Sequence, residues 1–275
     1  MTPTDYVYCN LIKAILQDGD LIPGRNGETR RLFALPSLSF TKTPLVTVRK
    51  TAWKKAIREM EWFLSGKPKC PDELLDWWQT QLNPKGEYIA GYGEQLRAYM
   101  FGFDQIESLI EGLLTHPYSR RHVITTWNPA EMVDITGLNN NPLTPTTCHT
   151  TIAQFFVTPP GALSMHSYQR SADMLLGVPH NWIQSWALLM WIAAQTNTFV
   201  DKLLWTFGDA HIYMEESHKA TASQLVDLAE EVNSVKSDNL PRLIYPNQVG
   251  PFETNYFEMI GEVHAPLIMI RPKLL

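Results

Sequence analysis

The chain has 275 residues, 44% of them hydrophobic and 19% charged, with a formal net charge of −5. That length supports one large domain with a substantial core or two small ones. The acidic balance argues against a generic nucleic-acid binder while leaving room for a local basic pocket. The three cysteines, Cys9, Cys70 and Cys148, make neither a disulfide framework nor a CxxC pair for zinc, so no metal site is expected. The first residues lack a basic stretch followed by an apolar run, and no run of ~18 apolar residues could span a bilayer. A cytoplasmic protein with no membrane and no direct nucleic-acid partner is expected.

Taken in order, residues 5–17 carry Tyr6, Cys9, Ile12, Ile15 and Leu16 at helical spacing. Asp18-Gly19-Asp20 is a turn, and Pro23 to Glu28 reads as a polar loop holding Arg25. Residues 51–65 form an amphipathic helix with Trp53, Ile57, Met60 and Leu64 on one face, stopped by Gly66 and Pro68. A Trp-rich segment (74–78) and a Gly-rich loop (85–93) follow, then a helix over 104–114 and a β-branched strand over 122–127. Residues 134–147 read as loop. Two strands, 151–157 and 163–168, are joined by Thr158-Pro159-Pro160-Gly161. Residues 181–195 make a helix without a polar face, expected to be central; 202–207 a strand; 215–233 a helix; 267–270 a late strand. No repeat or linker divides the chain. The interspersed elements point to an α/β (α+β) fold in one domain, a mixed sheet surrounded by helices.

Cys148 lies between a loop and a strand. Taken alone, such a cysteine is a small buried hydrophobe. Twenty residues on, Tyr168-Gln169-Arg170-Ser171-Ala172-Asp173 sets a guanidinium, a hydroxyl and a carboxylate at a strand end. A thiolate at neutral pH needs positive charge nearby, which Arg170 could supply. Arg120, Arg121 and Arg25 read as solvated cations when taken singly, yet arginine suits bidentate grips on phosphate. Glu59 sits on the flank of its helix, either at the surface or at a core edge where it is tuned for proton transfer. His211 and Tyr213, two apart on an extended segment, point to the same side. Gly91-Tyr92-Gly93 lacks the context of a dinucleotide fingerprint.

Together these segments resemble the thymidylate synthase family, in order and over about residues 25–213. The matching pieces are Arg25; Arg58-Glu59-Met60-Glu61-Trp62-Phe63-Leu64-Ser65-Gly66; Gly91-Tyr92-Gly93-Glu94-Gln95-Leu96-Arg97; Arg120-Arg121 before Trp127-Asn128-Pro129; Cys148-His149; Gln169-Arg170-Ser171 with Asp173, Gly177 and His180-Asn181; and Gly208-Asp209-Ala210-His211-Ile212-Tyr213. The resemblance implies that Cys148 attacks C6 of a uracil nucleotide, dUMP, making C5 a carbon nucleophile toward 5,10-methylenetetrahydrofolate. It implies that Arg170 activates the thiol and, with Arg25, Ser171 and a partner subunit's copies of Arg120 and Arg121, holds phosphate. A homodimer packed through the sheets follows. Asn181 would read the uracil edge beside Gln169, and His211 and Tyr213 would bind the sugar. Asp173, Trp77 or Trp78, Leu176, Gly177 and His180 would meet the folate, and Glu59, with Tyr92 nearby, would move protons.

Several positions depart from the family pattern. One extra residue stands between Cys148 and Gln154, so a bulge is expected beside the nucleophile. His180 replaces a Phe, Glu61 an apolar residue, and Glu215-Glu216 an Asn, and the C-terminus runs past the usual ending. Glu59-Met60-Glu61-Trp62 and Lys85-Gly86-Glu87 are similar to phage deoxycytidylate hydroxymethylases, which hydrate the methylene intermediate. His180 would make the pocket polar enough to admit that water; Glu61 lies about 200° around the helix from Glu59 and bears on it less. The expectation is therefore a deoxyuridylate hydroxymethylase giving 5-hydroxymethyl-dUMP for modified viral DNA, the alternative being a thymidylate synthase giving dTMP and dihydrofolate. A non-catalytic nucleotide binder is disfavoured because Cys148, Arg170 and Glu59 are all present.

Overall fold

The computed structural model describes residues 1–24, 27–129, 147–231, 240–246 and 248–261. Arg25, nearly all of the expected loop 134–147, the expected strand 267–270 and the C-terminal extension lie outside the described residues. In chain order the elements are α1 (Pro3–Asp18), β1 (Asp20–Gly24), β2 (Gly27–Phe33), β3 (Leu38–Phe40), α2 (Trp53–Leu64), α3 (Leu75–Trp78), α4 (Tyr92–Arg97), α5 (Tyr99–Gly102), α6 (Gln105–Thr115), β4 (Val123–Thr125), β5 (Ile152–Thr158), β6 (Ala162–Asp173), α7 (Val178–Gln195), β7 (Phe199–Tyr213), α8 (Glu216–Glu231), β8 (Arg242–Ile244) and β9 (Glu258–Ile260).

Six strands run β1-β2-β7-β6-β5-β4, and β3 also pairs with β7. The β6–β7 pair is parallel and the others are antiparallel, which makes the sheet mixed as expected. The parallel pair is possible because α7 carries the chain back between the two strands. Pro179 opens α7, where its missing N–H costs nothing. Trp182, Ile183, Leu189 and Ile192 bury the helix on nearly every side, the normal fate of a helix with no polar face. Of the polar loop expected at 23–28, the described residues Pro23, Gly24, Gly27 and Glu28 instead pair as the ends of β1 and β2. These strands carry Thr29, Arg30 and Arg31, and their polar side chains hid the period-2 pattern.

Asp5 locks the N-terminal helix to the segment that enters α2. It closes a capping box with Thr2 and accepts hydrogen bonds from Thr47 N–H (2.6 Å), Thr47 Oγ1 (2.6 Å) and Val48 N–H (3.2 Å). The stripe Ala56, Ile57, Met60, Phe63 of α2 then packs inward, and Gly66, at φ +68°, ends the helix in the left-handed region.

Along β6 the inward residues are Met165, Ser167 and Gln169, then Ala172; along β7 they are Leu203, Trp205 and Phe207, then Ala210 and Ile212. Both strands change parity at the same level. Gly208 permits the close approach there, since a Cβ on it would stand 2.6 Å from the Tyr168 hydroxyl and 2.7 Å from the Arg170 carbonyl. On the other face of the sheet Val123, Ile152 and Phe156 are about half exposed on β4 and β5. No helix among the described residues is long and apolar enough to cross a membrane.

Asp5→Ala removes a fully buried acceptor and leaves several donors without a partner. We expect a loss of about 3 kcal/mol of stability, read as a lower urea midpoint with an unchanged slope.

Candidate active site

Cys148 is half-buried just ahead of β5. Its backbone is pinned from three directions. The Tyr92 hydroxyl accepts the N–H groups of Cys148 (2.6 Å) and His149 (3.2 Å), and the Cys148 carbonyl accepts from Thr151 Oγ1 (3.1 Å) and Ser171 N–H (3.4 Å). Thr150, two residues on, has φ +49°. A β-branched residue seldom enters the left-handed region. Beyond Thr150 the register is regular, with Gln154 paired to Val123 and to His166.

Arg170 reaches the same loop. Its Nε and Nη2 donate to the Thr147 carbonyl at 3.4 and 3.2 Å, and its guanidinium lies 4.8 Å from the centre of the Trp127 ring. A fixed cation thus grips the residue next to the thiol, which is the electropositive setting an ionised cysteine requires. Arg120 and Arg121 are exposed and lie two or three residues before β4. Because Thr125 pairs with Ile152 and Val123 with Gln154, they stand at the opposite end of that strand pair from Cys148. Within one chain the fold does not gather them to the site.

Glu59 is 7% exposed, so it belongs to the core and not to the surface. One carboxylate oxygen accepts from Trp78 Nε1 and the other from Gln184 Nε2. Burial raises its pKa to about 7, against the lowering pull of those two hydrogen bonds and of Lys55. Gln184 Nε2 also donates to the Ala56 carbonyl (3.0 Å). Gln184 Oε1 accepts from Asn181 Nδ2 (3.3 Å), and Asn181 Oδ1 accepts from Gln169 Nε2 (3.0 Å). Gln184, missed in the sequence, follows Asn181 by one helical turn; that i, i+3 spacing was the available signal. Tyr92 stacks between Phe63 (4.5 Å) and His149 (4.6 Å), and burial raises its pKa well above the ordinary value.

Across the parity change the outward row becomes polar. Ser171 pairs with Asp209, Asp173 with His211, and His211 with Arg31. Arg31 Nη1 donates to Asp209 Oδ2 (3.2 Å), and His211 Nδ1 stands 3.4 Å from Asp209 Oδ1. His211 first, and Arg31 after it, hold the Asp209 carboxyl below its ordinary range against partial burial. His211 and Tyr213 share this face, with their rings 5.5 Å apart. Arg31 and Asp209 were not singled out from the sequence, because strand register alone brings them together.

Asp173 accepts the Leu175 and Leu176 N–H groups on Oδ1 (both 2.9 Å) at the entry to α7. At Gly177 a Cβ would meet Asn181 Oδ1 at 3.2 Å, so the chain there needs glycine's small profile. Of the two candidate tryptophans, Trp78 is buried against Glu59, whereas Trp77 is half-buried between Lys55 (4.9 Å) and His180 (4.8 Å). His180 has both nitrogens engaged: Nδ1 donates to the Leu176 carbonyl (2.8 Å) and Nε2 accepts the Ala52 N–H (3.3 Å). Burial lowers its pKa to about 4, so the ring is neutral at pH 7. Glu61 points away from Glu59, accepting Thr254 N–H (2.9 Å) and pairing with Arg58 (2.7 Å).

Glu59 gives a signed pH dependence. Its folded pKa lies above the unfolded 4.5, so the native state holds the extra proton between 4.5 and about 7, and stability falls as pH rises through that window by about 3 kcal/mol. His149 and His180, lowered to about 3 and about 4, slope the other way below 6.5. Glu59→Gln removes only the first slope. Subtracting the variant's unfolding free energies from the wild type's should therefore leave a difference that declines from pH 4.5 to 7; a flat difference would place the Glu59 pKa near 4.5.

The family model described as thymidylate synthase matches residues 6–270. A protein named thymidylate synthase from Brachyspira hyodysenteriae is 32% identical over 249 residues, covering 86% of this chain and 90% of its own length. Another of the same name from Zymomonas mobilis is 31% identical over 304 aligned positions, covering 96% of this chain and 98% of its own. With the match spanning nearly the whole fold just described, the chain belongs to the thymidylate synthase family.

Proposed function

We propose that this protein is a thymidylate synthase, transferring one carbon from 5,10-methylenetetrahydrofolate to C5 of dUMP and releasing dTMP and dihydrofolate. The observation that carries the reading is the Arg170 guanidinium fixed on the carbonyl beside Cys148, with Tyr92 holding the Cys148 backbone. The Cys148 sulfur adds to C6 of uracil, and the electron pair moves through C5 toward O4. C5 becomes nucleophilic, a step that uracil alone makes poorly. Asn181 steadies O4 and N3–H, and Glu59, with a pKa near neutrality, handles the protons. The thiolate leaves again once C5 has lost its proton and received its carbon. Arg25, Arg170 and Ser171, together with Arg120 and Arg121 of a second copy, take the phosphate, and His211 and Tyr213 take the sugar.

The folate, when bound, supplies the methylene carbon and the hydride that reduces it. Asp173, Leu176 and Gly177 at the entry to α7, with Trp77 and His180, fit a flat heterocycle carrying N–H groups. Asp173 Oδ2 accepts no hydrogen bond among the described residues, and the Trp77 ring is partly exposed. Trp78, with its N–H given to Glu59, would offer only its ring to the folate.

Hydroxymethylation, the reading that the sequence departures favour, has less support. The relatives bear the name thymidylate synthase. Glu61 is tied to Thr254, and His180, neutral with both nitrogens engaged, offers no free base to a water molecule. A homodimer is proposed because Val123, Ile152 and Phe156 are partly exposed on one sheet face among the described residues, and because Arg120 and Arg121 stand away from their own chain's site.

Incubation with dUMP and methylenetetrahydrofolate should raise the dihydrofolate absorbance in step with dTMP; 5-hydroxymethyl-dUMP with no absorbance change would decide for hydration. Cys148→Ser should abolish turnover and keep dUMP binding, and unchanged turnover would refute the covalent scheme. Mixing Arg121→Ala with Cys148→Ala subunits should recover part of the activity, since one site of each hybrid is intact; no recovery would count against sites shared between subunits.

A further inference from the structure

Asn181 stands in a chain of side-chain amides whose polarity is dictated from one end. The Ala56 carbonyl can only accept, and so can Glu59 when ionised; both face Gln184. Gln184 must therefore turn its NH2 toward α2 and its carbonyl toward Asn181. Asn181 must answer with an N–H, which puts its own carbonyl toward Gln169 Nε2. Gln169 is held in turn, because the same nitrogen donates to the Ser171 carbonyl at 3.2 Å. Gln184 and Gln169 are both almost wholly buried, so no solvent competes for these bonds.

The internal bonds use one donor and one acceptor of the Asn181 amide. One N–H and one lone pair remain in a fixed arrangement. In that arrangement the amide accepts a ring N–H and donates to an exocyclic oxygen, the pattern of uracil at N3 and O4. Rotated by 180°, the same amide would donate to a ring nitrogen and accept from an exocyclic amine, the pattern of cytosine. The base preference of an asparagine is thus no better than the lock on its orientation.

We propose that Gln184 is the positioning residue that supplies this lock, denying Asn181 the cytosine-reading orientation and tying it to Glu59. The inference rests on the uracil reading of the site and deepens it. Flipping Asn181 in the present structure would set its carbonyl against the Gln184 carbonyl and leave a buried donor unmade, a loss worth about tenfold or more in an equilibrium. Gln169 is the second lock, so removing Gln184 weakens discrimination without erasing it. Gln184 also gives Glu59 one of its two side-chain hydrogen bonds, and losing that bond disfavours the carboxylate.

The test is Gln184→Met, close in length and without hydrogen bonds, with Gln184→Leu as the second variant and a thermal melt to identify folded protein. Affinities for dUMP and dCMP are measured first on the wild type; no preference for dUMP there would sink the uracil reading itself. Given that preference, the variant should lose about tenfold of it, mainly through tighter dCMP binding. The acid limb of its kcat/KM profile with dUMP should also move up by about one pH unit. A folded variant that keeps the wild-type base ratio and acid limb would show that Gln184 only fills space, and would overturn the inference.

Discussion

The site depends on a carboxylate held in the core. Glu59 gives up water on entering the interface of α2 and α7, and two side-chain N–H groups, one each from Trp78 and Gln184, only partly replace it. The remaining deficit sets its pKa near neutrality, which is the useful range for a group that both gives and takes protons. The same deficit explains the surroundings. Trp78 spends its one N–H on Glu59, and Gln184 cannot rotate without stranding one charge and one carbonyl. The aromatic packing of Phe63, Trp78 and Tyr92 keeps water from relieving the strain on the carboxylate.

A second constraint is geometric. Cys148 lies just ahead of β5, and Arg170 lies where β6 and β7 change parity. An unbroken period of two would place residues 169 and 171 on one face. Gln169 continues the inward row of Met165 and Ser167 toward Asn181, and the change just beyond it takes Ser171 off that row and against the Cys148 carbonyl. The left-handed Thr150 makes a second irregularity on the other side of Cys148, just ahead of the regular β4–β5 register. Local backbone irregularity is therefore concentrated around the thiol, as is common where side chains from several elements must converge.

Much of the architecture was legible because apolar periodicity carried it. α1, α2, α6 and α7 fall within a few residues of their expected bounds, as do β5 and the start of β6. The β1–β2 hairpin was not legible: its strands are short and polar, and they form because β7 offers an edge, which no local pattern records. The full length of β7 was hidden for a related reason, since the parity change breaks the alternation used to recognise a strand. In the site, contiguous strings such as Gln169-Arg170-Ser171 drew attention to themselves. The pairing of Arg31 with Asp209 did not, because 178 residues separate them and only register joins them.

The departures from the family pattern teach a narrower lesson about reading substitutions as chemistry. Glu61 and His180 look like pocket residues when placed on a motif, and each adds polarity beside a presumed reaction path. In the fold each is satisfied by backbone: Glu61 by the Thr254 turn, His180 by Leu176 on one nitrogen and Ala52 on the other. A polar side chain whose donors and acceptors are already matched contributes shape, not acid–base chemistry, and the neutral His180 imidazole packs tilted against the Trp77 ring. Gln184 is the opposite case. It attracts no notice in the sequence, yet its hydrogen bonds are the ones that tie the Glu59 carboxylate to the Asn181 amide. Where a residue's polar atoms terminate decides whether it bears on the reaction, and that is a property of packing that the linear motif does not contain.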